Sequence, residues 1–228
     1  MAIDILHFND LPVCGCSGLK EQRLIMSPKL FGQYVNPGTW AGIGDVVYLA
    51  DACLGPNDEI SMHSHKDIDL ISIMAEGSIV HYGSLGYGQE ISAGSVQIQR
   101  AGVEGFSHNE TNPNDTNNRM VQIWVLPNQK DESAAYKLYQ LASNKVTRIY
   151  GGNIDQTDVF PSNTCIDCAL LAESETFTLD KNFIAYLALG RGCADNMDIE
   201  EGSLFKGEGL NFEAKSDVLL VVIYEDKT

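Results

Sequence analysis

The chain has 228 residues, 44% of them hydrophobic, enough to bury one large core or two small ones. Its formal charge of -16 repels phosphate backbones and anionic lipid, which argues against direct nucleic-acid binding and against a basic membrane patch. The longest apolar run, "VLLVVIY" at 218–224, is far too short to span a bilayer.

In chain order, the opening stretch "MAIDILHFND" lacks a basic region and carries Asp4 inside its only apolar run, so no secretory signal is expected. A cytoplasmic location follows as the default. The cysteines, Cys14, Cys16, Cys53, Cys165, Cys168 and Cys193, are scattered, and in that compartment they predict reduced thiols rather than a disulfide framework. Short runs rich in Val, Ile, Tyr and Phe then recur between Gly, Asn, Asp and Pro: "GDVVYLADA", "IDLISIMAEG", "SIVHYGS", "SVQIQRAG" and "RMVQIWVLP". That rhythm predicts antiparallel β structure, and long stretches of helical periodicity are missing. Residues 108–119, "HNETNPNDTNNR", read as a loop marked by Pro113. From 127 to 145 the chain is polar and loses strand alternation, which predicts a connector or short helix. The strand rhythm resumes with "TCIDCALLAE", "NFIAYLALG" and "DVLLVVIYED". Two β units in tandem is the simplest organisation: residues 1–130, a connector at 131–150, and residues 151–228.

Histidine divides these units. His63, His65, His81 and His108 all fall in the first, and none follows residue 108. Two pairs are spaced i, i+2, His63 with His65 and His108 with Glu110, which on strands aims both members of each pair to one side of a sheet. Three neutral imidazoles and a carboxylate suit a divalent first-row metal, and four protein ligands on an octahedral ion leave two positions open for chemistry. A bare H-x-H on a strand is more often a surface or cross-strand pair; the ordered turn residues around these pairs, Gly55-Pro56, Glu76-Gly77 and "AGSVQIQRAG", raise the metal reading above it.

The run "HSHKDIDLISIMAEGSIVHYGSLGYGQEISAGSVQIQRAGVEGFSHNE" at 63–110, followed by "QIWVLP", resembles the pirin family of the cupin superfamily. Upstream, "FGQYVNPGTWAGIGDVVYLADACLGPNDEISMHSHKD" resembles its bacterial branch. The resemblance implies an all-β bicupin: two tandem antiparallel β-barrels, the first holding one metal through His63, His65, His108 and Glu110, the second without metal ligands. Several bacterial pirins are quercetin 2,3-dioxygenases that open a flavonol with O2 and release carbon monoxide. The implied cofactor is one divalent transition metal, Fe(II) ahead of Mn, Ni, Co, Cu or Zn. The implied partners are a flavonol-like aromatic and O2, with Glu110 as the base for the flavonol 3-hydroxyl. Eukaryotic pirins associate with transcription factors, so a metal-bearing regulatory protein with a protein partner is the competing expectation, and a cupin isomerase or sugar-binding protein is a third. The chain departs from the family in three places: H-S-H stands for the usual H-P-H, Asp69 replaces a glutamate that other cupins use as a ligand, and Glu104 sits in a lengthened approach to H-x-E. Asp69 reads equally as a plain strand residue or as a partner of the metal ligands. Of the remaining residues, His81 is expected at the surface or across a strand pair, Trp124 in the core at a barrel floor, and the thiols of Cys14, Cys16, Cys165 and Cys168 as ordinary rather than zinc-binding. His7 is assigned no chemistry.

Overall fold

In the computed structural model, which describes residues 3–15, 18–129, 131–153 and 158–226, strands account for nearly all regular structure, as the all-β expectation requires. They are β1 (Asp4–His7), β2 (Val13–Cys14), β3 (Leu19–Met26), β4 (Val46–Leu54), β5 (Glu59–His65), β6 (Asp69–Glu76), β7 (Ser78–Gly83), β8 (Tyr87–Ser92), β9 (Ser95–Arg100) and β10 (Phe106–Thr111). The series continues with β11 (Arg119–Val125), β12 (Ala135–Gln140), β13 (Lys145–Gly152), β14 (Ser162–Leu171), β15 (Thr176–Leu189), β16 (Arg191–Ala194), β17 (Met197–Glu200), β18 (Ser203–Ala214) and β19 (Val218–Glu225). A single-turn helix, α1 (Pro28–Phe31), starts at Ser27, whose hydroxyl accepts from the Lys29 amide, and carries proline where no intrahelical donor is needed. No described helix is long and apolar enough to cross a membrane.

The chain divides into two compact units. One comprises Leu11–Ala41 and Asp45–Gln140 and carries the H-x-H and H-x-E motifs. It has a seven-stranded sheet, in the order β12-β9-β6-β11-β4-β3-β2, and a four-stranded sheet, β5-β10-β7-β8. An apolar cluster of Leu54, Met74, Ile79, Ile91 and Met120 draws on both sheets. The Asn-rich loop after β10 is locked by its amides: Asn112 donates to the carbonyls of Leu54, Gly55 and Thr116, while Asn118 accepts from the Leu54 amide and donates to the Ser78 carbonyl. Side chains thus do the work of a ladder where the backbone turns, which explains the crowding of asparagine there. Gly77, at φ +70°, makes the turn between β6 and β7, and an added Cβ would press on Asn118 at 3.0 Å.

Within the stretch expected as a connector, "AYKLYQ" forms β12 and pairs antiparallel with β9 from Ala135↔Arg100 to Gln140↔Ser95. As the terminal strand of its sheet it tolerates a polar sequence that a central strand would not.

The other unit comprises Met1–Asp10, Gly42–Gly44 and Leu141–Thr228. Its sheet runs β13-β14-β19-β15-β18-β16-β17, with β1 added to β18 in the register Asp4↔Lys206 to His7↔Ser203. Phe177, Phe183, Phe205 and Phe212 fill its core, each burial contributing roughly 1.5–3 kcal/mol. Its single histidine is His7, contributed by β1, whose Nε2 lies 2.9 Å from the Glu201 carbonyl. Cys165 and Cys168 are both buried in β14, three residues apart and so on opposite faces, where they cannot converge on one ion. Cys16 lies outside the described residues.

Candidate metal centre

Strands β5 and β10 are neighbours in the four-stranded sheet, and their register sets His108 directly opposite His63, with Phe106 opposite His65. Strand alternation puts His63 and His65 on the same face, so three imidazoles from two strands meet at one point. Nε2 of His108 lies 3.1 Å from Nε2 of His63 and 3.1 Å from Nε2 of His65, and the three ligand atoms all lie within 4.8 Å of one another. Metal–nitrogen bonds of about 2.1 Å at right angles place two nitrogens about 3.0 Å apart, so this spacing fits a shared divalent ion. Nδ1 of His63 is 2.9 Å from the Ser61 carbonyl and donates its proton there, which leaves the Nε2 lone pair free for a metal. The register shifts between His108 and Glu110, bringing Glu110 opposite Ile60.

Glu110 stands beside this group rather than within it. Its Oε1 is 3.9 Å from His108 Nδ1, and its Oε2 accepts from Gln122 at 3.3 Å. Oε1 makes no hydrogen bond of full geometry, and the Ser72 hydroxyl is the buried donor close enough to act on the carboxyl.

Burial governs the charge states. It holds the His65 imidazole down at about 4 and His108 at about 2, with the neighbouring histidines adding repulsion in each case. Both rings are therefore neutral near pH 7, the form a metal needs. Burial pushes the Glu110 carboxyl up to about 7, with the Ser72 hydroxyl pulling the other way. In the unfolded chain His108 takes its proton near pH 6.5, in the fold only near pH 2, so below pH 6.5 the unfolded chain binds the extra proton and stability falls with acid. Glu110 acts oppositely between pH 7 and 4.5, where the folded carboxyl is protonated first. Metal-free wild type is therefore expected to lose more stability than His108→Asn between pH 6.5 and 4.5, measured by urea unfolding at each pH. Equal losses would contradict this assignment of charge.

A cleft of about 470 Å³ opens onto the three imidazoles. Trp124 stacks on Tyr48 at 4.5 Å and on Phe31 at 6.4 Å, and stands 5.7 Å from His65. Trp124 thus walls the mouth instead of a barrel floor, because α1 brings Phe31 over the end of β11. Beside it Glu21 accepts from the Tyr48 hydroxyl at 2.6 Å and pairs with Arg23.

Other expectations resolve differently. His81 is fully buried rather than at the surface, because β7 lies inside its sheet between β10 and β8 and turns His81 inward toward Gln99. Asp69 is buried against Arg100 at 3.2 Å and does not line the cleft, whereas its strand neighbour Leu70 does. Glu104 accepts from the Ala134 amide at 2.9 Å, tying two loops together. The burial of Gln97, Gln99 and Gln122 has no counterpart in any expectation from sequence.

With this geometry in hand, the chain can be set against known proteins. The Pirin family profile matches residues 20–125, the stretch that carries both histidine motifs. Residues 20–125 belong to the pirin family. A provisionally named quercetin 2,3-dioxygenase of Zymomonas mobilis is 27% identical over 210 residues, 85% of this chain and 87% of that protein. A quercetin 2,3-dioxygenase of Escherichia coli K12 is 29% identical over 108 residues, 47% of this chain and 46% of that protein. The crystal structure of a bacterial pirin, YhhW of Escherichia coli, in complex with nickel(II) superposes with a TM-score of 0.83 over 100% of both chains at 17% identity, and this shows a common fold. The pirin histidine group, taken with these relatives, points to a divalent metal as cofactor.

Proposed function

We propose that this pirin is a metal-dependent dioxygenase that opens flavonol-type aromatics with O2, as quercetin 2,3-dioxygenases do. The observation that carries the proposal is the convergence of three neutral imidazoles, their Nε2 atoms 3.1 Å apart about His108, at the head of an aromatic-walled cleft. His63, His65 and His108 would hold the metal, with Glu110 as a fourth ligand or as the base beside it. Iron is proposed first on the family resemblance, since the ligand types alone do not distinguish it from manganese, nickel, cobalt, copper or zinc. When bound, such a metal supplies Lewis acidity and, for the redox-active ions, one-electron chemistry toward O2.

The protein's own groups do the rest. Trp124, Tyr48 and Phe31 offer flat faces on which a fused aromatic ring stacks, and the apolar lining from Leu70 and Ile60 excludes water. Glu110 is the base proposed for the flavonol 3-hydroxyl; it is fully buried behind Gln122, which lines the cleft and whose amide donates to Oε2.

Oxygen uptake with quercetin is the test, on protein loaded in turn with iron, manganese, nickel and copper. Uptake with at least one of these is expected. No uptake with any of them would overturn the enzymatic reading and favour a metal-bearing regulatory protein with a protein partner.

A further inference from the structure

Gln99 is fully buried on β9, and its side chain bridges from the seven-stranded sheet to the four-stranded one. Its Oε1 lies 2.9 Å from Nε2 of His81 on β7, and its Nε2 lies 3.3 Å from Nδ1 of His108 on β10. An amide nitrogen only donates and an amide oxygen only accepts, so the amide in this orientation pairs with one tautomer of each ring. His81 carries its proton on Nε2 and gives it to Gln99. His108 accepts at Nδ1 and so carries its proton on Nε2, the atom that faces His63 and His65 at 3.1 Å. That proton occupies the position a metal would take.

A metal on His108 Nε2 therefore demands the other tautomer, with the proton on Nδ1, and an N–H there would face the N–H of the Gln99 amide. Rotating the amide end for end removes the conflict: Oε1 then accepts from His108 Nδ1–H, and Nε2 donates to His81 Nε2. His81 must in turn carry its proton on Nδ1, an atom with no hydrogen-bond partner in the ring's present state. Each imidazole keeps one proton throughout, so the exchange is balanced and changes no net charge.

We propose that Gln99 is a positioning residue for the metal site, an amide clamped between His81 and His108 that rotates when the site loads and transmits occupancy to the tautomer of the buried His81. The proposal rests on His108 being a ligand through Nε2, as in the function proposed above, and adds two residues that lie behind the ligands and outside the lining of the cleft. Such partners of ligating histidines characteristically set metal affinity within 10–100-fold, roughly.

Zn²⁺ is the probe, because it is diamagnetic and permits nitrogen-15 NMR of the imidazoles in full-length protein with and without metal. In wild type, His81 is expected to change from the Nε2–H to the Nδ1–H tautomer on loading. Gln99→Met, similar in shape but without the amide, is expected to bind Zn²⁺ about 10–100-fold more weakly by calorimetry. Gln99→Glu, an acceptor toward both rings, is expected to restore binding while His81 stays Nε2–H in both states. A role limited to packing would not produce that split between affinity and tautomer. Zinc uptake with an unchanged His81 tautomer in wild type, or wild-type affinity in Gln99→Met, would overturn this inference and leave the metal-site reading standing. A wild-type chain that takes up no Zn²⁺ would overturn both.

Discussion

Metal affinity is expected to fall by more than about 100-fold in His108→Ala, beyond the range seen for residues that merely support ligands. His108 is the hub of the group: its Nε2 is 3.1 Å from each of the other two imidazoles, and it is 1% exposed. Its loss removes one of the three proposed ligands and breaks the Gln99 contact at the same time. Stability of the metal-free protein should respond differently, since the variant also removes a buried ring whose neighbours disfavour its charge. The variant is therefore expected to remain folded by circular dichroism while its calorimetric metal isotherm flattens. An unchanged isotherm would place the metal elsewhere.

Glu110→Gln is expected to lower kcat for flavonol oxidation by about 10²–10⁴, the usual contribution of a positioned base. The substitution keeps the volume of the side chain and the Gln122 neighbour, but an amide cannot take a proton from the substrate. Metal content separates the two roles open to Glu110. Retention of metal with a collapsed kcat fits a base that is not a ligand, in keeping with Glu110 standing outside the three-imidazole group. Joint loss of metal and rate fits a fourth ligand. Full activity would remove Glu110 from the chemistry altogether.

The strand character of the chain was legible from spacing, and the meeting of the histidines from spacing taken together with the family resemblance. H-x-H and H-x-E have strand periodicity, and adjacent strands in register can only bring such pairs together or bury them apart. What spacing cannot supply is the inward face of a strand buried on both sides, as β9 is from Ser95 to Arg100. Gln97 and Gln99 alternate with Val96 and Ile98 there, and nothing in a string of residues says which set meets a histidine. For the same reason His81 reads from sequence as either a surface or a cross-strand residue: alternation separates it from Val80 and Tyr82 without fixing a direction. The pairing of β1 with β18, from His7↔Ser203 to Asp4↔Lys206, joins residues about 200 apart in sequence. Contacts of such sequence separation leave no local pattern to read. Trp124 fell between the two cases, since its strand was evident but the helix that lays Phe31 against it was not.

Elemental analysis of protein purified without chelator or metal-affinity resin, and again after loading with ferrous, manganous, nickel or cupric salt and desalting, tests the metal site most directly. One transition-metal ion per chain is expected after loading with at least one of these salts, and none in His108→Ala treated alike. A wild-type chain that emerges empty from every loading would contradict the metal site and the chemistry built on it.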